Sequence, residues 1–240
     1  MAAPEPKLTR PLLLVGCGKM GGAMLSGWLE SGIAGGGVFV VDPAGAPDFA
    51  ERDGVTVLTS PGGVPDDLDP EVVVFAVKPQ QMDDAMPVSV PFAGGSTVFL
   101  SIAAGTTIGY FEKHLGGDAA IVRAMPNTPA AIGRGITVAC PNASVSDRQM
   151  ALCTALLRSV GEALTVADEG LMDAVTAVSG SGPAYVFLLI ECMAAAGVEA
   201  GLPRDVADRL ALVTVAGAGQ LAISGDAPPG ELRRNVTSPG

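Results

Sequence analysis

Charge is scarce in this sequence. Only 16% of its 240 residues are Asp, Glu, Lys or Arg, so much of the surface is expected to lie against another subunit. Basic residues are scarcer still, with 14 Lys and Arg against 25 Asp and Glu for a net charge of −11. Such a surface repels a phosphate backbone and argues against nucleic acid as a partner. A nucleotide cofactor is not excluded, because backbone dipoles outweigh net charge at short range. Histidine occurs once, at His114, where a helix end is expected and a role in capping carbonyls fits better than proton transfer. The four cysteines (Cys17, Cys140, Cys153 and Cys192) form no CxxC pair and no metal-ligand spacing. They read as reduced, buried thiols of a cytoplasmic protein that binds no metal. The first ten residues lack the long apolar core of a signal peptide. Two later stretches, Pro183–Ala200 and Val206–Ser224, are apolar enough to raise a membrane question. Glu191, Glu199, Asp208 and Arg209 interrupt them, and Ala and Gly fill them. Buried helices of a soluble oligomer, with no membrane partner, are the expectation.

What is abundant is apolar: 48% of the residues are hydrophobic, enough for a well-filled core. Short β-branched or aliphatic runs occur at Pro11–Val15, Val38–Val41, Val55–Leu58, Val72–Val77, Val98–Ala103 and Ala120–Arg123. Helical or turn-rich stretches, including Gly21–Ser31, Gln80–Met86 and Ile108–Leu115, separate most of them. Continuous apolar strands alternating with helices predict a parallel sheet covered on both faces. Two further strands, Ile136–Cys140 and Ala163–Val166, flank a helix from about Asp147 to Val160. From Asp168 onward the pattern turns helical, with Asp168–Val178, Ala184–Ala196 and Arg204–Ile223 joined at Gly or Pro. The fold class is therefore α/β. A Rossmann-type, doubly wound, mostly parallel sheet over residues 1–167 precedes an all-helical domain over 168–240. That helical domain is too apolar for its own small size and is expected to bury itself against another subunit.

The segment Leu12-Leu13-Leu14-Val15-Gly16-Cys17-Gly18-Lys19-Met20-Gly21 is a strand, a GxGxxG turn and the start of a helix. GxGxxG alone is weak evidence. Here the preceding strand, the following helix and an acid ending the second strand, Asp42, agree. Gly16 permits the tight turn, Gly18 lets backbone approach a pyrophosphate, and Gly21 allows close helix packing. The helix N-terminus adds unpaired N–H groups. Asp42 can accept both ribose hydroxyls and repel a 2′-phosphate, which favours NADH over NADPH; alternatively it caps the Asp42-Pro43 turn. Ala76-Val77-Lys78-Pro79 ends the fourth apolar run, where strand ends face the cofactor. Lys78 either lies along that crevice or faces solvent. Ala103 and Ala104 close the next strand with small residues, which suits a nearby nicotinamide ring; small residues packing against a helix would look the same.

Two long motifs remain: Arg123-Ala124-Met125-Pro126-Asn127-Thr128-Pro129-Ala130 and Val178-Ser179-Gly180-Ser181-Gly182-Pro183-Ala184-Tyr185. Together with GCGKMGGAML, AVKP and SIAAG, they closely resemble pyrroline-5-carboxylate reductase, in that family's order, from about Leu12 to Gly240. The resemblance implies reduction of the cyclic imine pyrroline-5-carboxylate to proline with NADPH or NADH. It also implies helical domains interlocked in a homodimer or a larger ring of dimers. It places Asn127 near the cofactor, Thr176 near the substrate's ring nitrogen, and Val236, Thr237 and Ser238 in the loop that holds the substrate carboxylate. A helix-interior hydroxyl bonded to its own backbone is the alternative for Thr176. Family sequences continue beyond Ser-Pro-Gly with a second glycine, threonines and further helices, whereas this one ends at Gly240. Part of the carboxylate loop and of the dimer interface is therefore expected to be missing.

The residue inventory suits that chemistry. A protonated cyclic imine is already electrophilic, so the protein must mainly position it and exclude water. The β-hydroxyacid dehydrogenases share this plan but rely on a lysine in the helical domain. The four lysines here are Lys7, Lys19, Lys78 and Lys113, none of them in that domain. Another NAD(P)H-dependent cyclic-imine reductase and a non-catalytic dinucleotide-sensing protein are the alternative readings.

Overall fold

Leu12-Leu13-Leu14-Val15 is apolar at every position, and none of these side chains is more than 3% exposed. A strand so placed must belong to a sheet covered on both faces. In the computed structural model, which describes residues 6–237, this strand (β1, Leu12–Val15) is central to an eight-stranded sheet. The other strands are β2 (Val38–Val41), β3 (Val55–Leu58), β4 (Val72–Phe75), β5 (Val98–Ser101), β6 (Ala120–Met125), β7 (Gly135–Pro141) and β8 (Gly161–Thr165). Their order is β3-β2-β1-β4-β5-β6-β7-β8. Leu12 pairs with Val38 on one side and Val72 on the other, both in parallel register. The chain thus reverses its direction of winding between β1 and β4, the switch point where doubly wound sheets open a crevice.

The strand period of two sorts alternate side chains into two cores. Leu12, Leu14, Val72 and Val74 enter one, with Met24, Leu25 and Trp28 of helix α1 (Lys19–Ser31). Leu13, Val15, Val73 and Phe75 enter the other. There they meet Met82 of the short helix α2 (Met82–Ala85) and Phe111 of α3 (Ile108–Leu115). Helix α4 (Asp147–Arg158) lies on the α1 side, where Trp28 Nε1 donates to the Leu156 carbonyl at 2.9 Å. Local signals start these helices: Thr107 caps α3, and Ser146 with Gln149 forms a capping box on α4. Only β7 runs antiparallel to its neighbour β6, because the link between them is a short turn rather than a crossover helix.

The separate helices expected at Asp168–Val178 and Ala184–Ala196 prove closer to one run. A 3₁₀ turn (Glu169–Leu171), α5 (Met172–Val175) and a π-helical turn (Thr176–Gly180) lead into α6 (Gly182–Glu199). Pro183 has no N–H to continue the regular ladder, and the chain widens just before it, with Ser181 N–H bonding to the Thr176 carbonyl at 2.8 Å. The chain divides into two compact units, Met1–Ser181 and Gly182–Gly240. In the second, α6 packs on α7 (Arg204–Ser224) through small residues, with Gly197 against Ala207, and α8 (Pro229–Asn235) follows. Its large apolar residues stay uncovered within one chain; Phe187, Leu188 and Leu210 are each more than half exposed. Glu169–Glu199 and Arg204–Ser224 are long and apolar enough to span a membrane by length and composition. The expectation of uniformly buried cysteines fails at two positions. Cys140 and Cys153 are buried, but Cys17 is half-buried and Cys192, on the uncovered face of α6, is exposed.

Glu71 ties the chain together at the amino-terminal end of β4. Its carboxylate accepts from Thr9 N–H at 2.9 Å and Arg10 N–H at 3.2 Å, and pairs with Arg148 of α4 at 2.8 Å. Burial alone would raise its pKa, but these donors outweigh burial and hold it below the usual value. Glu71→Gln should destabilise the protein at neutral pH by about 1–3 kcal/mol in urea unfolding followed by circular dichroism. A lowered native pKa stabilises only while the group is ionised. The deficit should therefore be complete above about pH 4.3 and shrink as pH falls through the lower native value. A deficit constant down to pH 3 would contradict this.

Candidate functional site

The turn after β1 brings backbone unusually close to backbone. Gly16 has φ +91°, and a Cβ there would stand 2.7 Å from Val77 Cγ1 and 3.0 Å from the Ala76 backbone. At Gly21 a Cβ would collide with the Gly16 carbonyl oxygen and press on Ala76 Cβ at 3.1 Å. These two glycines let α1 begin directly at the end of β1. Gly18 differs, because a Cβ there would meet nothing within 4 Å. Its glycine answers no demand of the folded chain, and it leaves the space in front of α1 clear. Gly18 is the N-cap of α1 but gives no side-chain cap, and no acid lies in the first turn. The first N–H groups of a 13-residue helix are thus left for an anion.

Asp42, just past β2, is half-buried. One oxygen accepts the Cys17 N–H at 2.6 Å and the other accepts the Ala44 N–H at 2.8 Å. The turn-capping alternative is therefore realised, yet an ionised carboxylate has about four acceptor positions and two remain. The Cys17 thiol is pushed up to about 11 by burial and then by the carboxylates of Asp42 and Asp48. It stays neutral at physiological pH and adds no negative charge beside the helix end.

At the carboxyl ends of the strands lies a cleft of about 660 Å³, within the range of small-molecule and cofactor sites. It is lined by Gly18, Lys19 and Met20 after β1, by Ala76, Val77, Lys78 and Pro79 after β4, and by Ile102, Ala103 and Ala104 after β5. Met125 at the end of β6, Pro126, Asn127 and Thr128 after it, and Gly180 complete it. Among the described residues its only charged lining is Lys19 and Lys78, so a strongly acidic chain presents a locally basic cleft. Lys78 lines the cleft and is also exposed to solvent, joining the two alternatives set out for it. The Asn127 side-chain oxygen accepts the Ile136 N–H at 2.9 Å. That bond fixes the amide so that its NH₂ group is the end free to donate.

Gly16, Cys17, Gly21 and Asp42 do not line the cleft; they shape the turn behind it. Thr176 is half-buried and its hydroxyl donates to the Met172 carbonyl at 2.9 Å, as the back-bonding alternative anticipated. Its oxygen keeps lone pairs to accept. Val236 and Thr237 belong to the second unit, where Val236 is 82% exposed and Thr237 bonds to the Arg233 carbonyl. Ser238 lies outside the described residues. His114 Nδ1 meets the Tyr110 carbonyl at 2.8 Å, at the end of α3 and away from the cleft. No group of three or more His, Cys, Asp or Glu suited to a metal occurs among the described residues. Sequence reasoning did not name Ile102, Met125, Pro126, Thr128 or Gly180 as contacts. Ile102 and Pro126 directly follow a strand end and Met125 closes one, a signal the sheet order makes explicit.

A family model described as pyrroline-5-carboxylate reductase dimerisation matches residues 169–240, and one described as NADP oxidoreductase, coenzyme F420-dependent, matches residues 12–105. The pyrroline-5-carboxylate reductase of Pseudomonas aeruginosa is 41% identical over 234 residues, covering 96% of this chain and 85% of that protein. A solved pyrroline-5-carboxylate reductase from Coxiella burnetii superimposes with a TM-score of 0.88 at 32% identity, covering 97% of this chain and 87% of that one. A Plasmodium falciparum pyrroline carboxylate reductase with NADP bound gives 0.81 at 30% identity, covering 98% and 86%.

The contrast between glycines is testable by fluorescence titration with NADH. Gly18→Ala should cost less than about 1 kcal/mol of stability, as at an ordinary N-cap, yet weaken binding roughly tenfold or more, equivalent to about 1.4 kcal/mol. Gly21→Ala should instead lower thermal stability, because its methyl group meets backbone. Unchanged NADH affinity in Gly18→Ala would remove the turn from the binding site.

Proposed function

The chain belongs to the pyrroline-5-carboxylate reductase family, and from that premise we propose how its own residues carry out the NAD(P)H-dependent reduction of 1-pyrroline-5-carboxylate to L-proline. The observation that carries the reading is the cleft at the β1/β4 switch point, with a bare helix end, two lysines and an unfilled approach at Gly18. These features fit a dinucleotide. Gly18, Lys19 and Met20 would hold its diphosphate, Asp42 a ribose, Ala76 to Pro79 the middle of the molecule, and Ala103, Ala104 and Asn127 the nicotinamide end. When bound, the reduced nicotinamide supplies hydride to the imine carbon, and the C=N electron pair becomes the amine lone pair.

The remaining work is done by fixed protein groups. Apolar walls at Ile102, Met125 and Pro126 exclude water from one side of the cleft. The reactive acceptor is the protonated imine, whose N–H needs an acceptor. Thr176 suits this better as acceptor than as donor, because its own proton is held by the Met172 carbonyl. Val236, Thr237 and Ser238 are assigned to the substrate carboxylate on the sequence pattern alone. A second copy of the chain is the proposed cover for the exposed apolar faces of α6 and α7, in a homodimer or a ring of dimers. Four free cysteines fit a reducing compartment, which supports the proposal of a cytoplasmic enzyme.

For the coenzyme, we propose a preference for NADH. Asp42 keeps acceptor positions for ribose hydroxyls, and its charge opposes a 2′-phosphate. Initial rates with both coenzymes should give the higher kcat/KM for NADH; equal or higher kcat/KM with NADPH overturns the preference. Asp42→Asn, which retains an acceptor for Cys17 N–H, should narrow the gap. Asp42→Ala should weaken both coenzymes because the turn loses its tie. Thr176→Val, losing a hydrogen bond to a charged group, should lower kcat roughly tenfold to a hundredfold with unchanged NADH affinity, and unchanged kcat would dismiss its role. A panel of small cyclic imines tests the reaction itself, with pyrroline-5-carboxylate expected to have the highest kcat/KM.

A further inference from the structure

Arg123 is the only charged residue buried within a strand of the sheet, among the described residues. It sits mid-sheet on β6, in register with Ser101 of β5 and Cys140 of β7, and is 6% exposed. By strand alternation it faces the same side as Ile121 and Met125. Its guanidinium meets one carboxylate, Glu169 Oε1, at 2.8 Å. The same oxygen accepts the Ile108 N–H at 2.8 Å, at the start of α3. Glu169 opens the segment that continues through Met172, which is fully buried, to Thr176 and Gly180. The far end of that segment returns to β6. A Cβ on Gly180 would stand 2.5 Å from Met125 Cε and 3.6 Å from Thr176 Cγ2. Met125 and Gly180 both line the cleft.

The segment Glu169–Gly180 is therefore fastened to one strand at both ends, by an ion pair at Arg123 and by close packing at Met125. A buried ion pair rarely improves stability over well-packed apolar residues, but it demands one geometry. We propose that Arg123 and Glu169 are positioning residues: their ion pair sets the placement of Gly180 at the cleft and of Thr176 directly beside Gly180, and so the alignment of the imine for hydride transfer. Neither residue lines the cleft. The inference rests on the imine-reductase reading above.

The test compares Glu169→Gln, Arg123→Met and Arg123→Lys in the full chain. Glu169→Gln keeps an acceptor for the Ile108 N–H and nearly the same volume, so it should fold. It should lower kcat roughly tenfold to a hundredfold, as misplacement of a reacting group does. KM for the imine and the NADH dissociation constant should stay within about twofold, a factor worth about 0.4 kcal/mol. Arg123→Lys should recover part of the kcat lost in Arg123→Met, and the double variant Arg123→Met with Glu169→Gln should be no slower than the slower single variant. Amide hydrogen exchange in Glu169→Gln should quicken within residues 169–181. Unchanged kcat in folded Glu169→Gln and Arg123→Met overturns the proposal, as does a parallel loss of NADH affinity, kcat and thermal stability. Failure of the underlying reading would show separately, as wild-type protein that binds NADH without imine-dependent oxidation. Hydrogen exchange in residues 169–181 then decides whether the pair holds the segment, and unchanged exchange overturns it.

Discussion

The whole site depends on how closely α1 can start behind β1. Gly21 rests against the Gly16 carbonyl and Ala76, an approach that any side chain at Gly21 would block. Because that contact is allowed, the helix begins at the switch point between β1 and β4 with its first N–H groups uncapped. Those groups, the strand ends around them and the cleft of about 660 Å³ all follow from one backbone contact. A wider spacing would carry the helix end away from the crevice, and no arrangement of side chains elsewhere would restore a backbone anion site.

Charge then has to be arranged locally against the trend of the molecule. The chain carries a net charge of −11, yet the ligand its cleft fits is itself anionic. Lys19 and Lys78 supply the charged lining seen among the described residues, and the Cys17 thiol is kept neutral. Asp42 is the exception, and its two bonds to backbone N–H groups show why an acid is tolerated beside the turn. It is a structural tie first, and whatever selectivity it exerts between coenzymes comes from acceptor positions left over. Chemistry at the other end of the cleft needs less charge. A protonated imine brings its own positive charge, so on the proposed reading an oriented hydroxyl and apolar walls would suffice, and the only histidine of the sequence sits elsewhere at a helix end.

The sheet was largely legible in the sequence because its central strands, Leu12–Val15 and Val72–Phe75, are buried on both faces and read as unbroken apolar runs; Val38–Val41 and the less buried Val55–Leu58 also have the bounds that their β-branched runs predict. Turn chemistry marked the glycine loop equally well, since Gly16 and Gly21 answer steric demands that only glycine meets. The segment from Glu169 to Gly180 was harder. Its π-helical turn arises from Pro183 further along, and period-3.6 reasoning cannot register one extra residue in a turn. Asp42 could be marked as an acid at a strand end, but its bond to Cys17 joins residues 25 apart and is visible only in three dimensions. Arg123 belonged to a motif whose spacing says nothing of burial. Its partner Glu169 is 46 residues distant, and no local rule pairs them.

The central claim is spatial: a dinucleotide lies across the carboxyl ends of β1 and β4 with its diphosphate on the α1 terminus. A crystal structure of the protein with NADH tests it most directly. The account predicts diphosphate oxygens on the backbone N–H groups of residues 18–20 and the nicotinamide ring against Ala103 and Ala104. A diphosphate bound anywhere else, or side chains closed over the β1/β4 crevice, would contradict it.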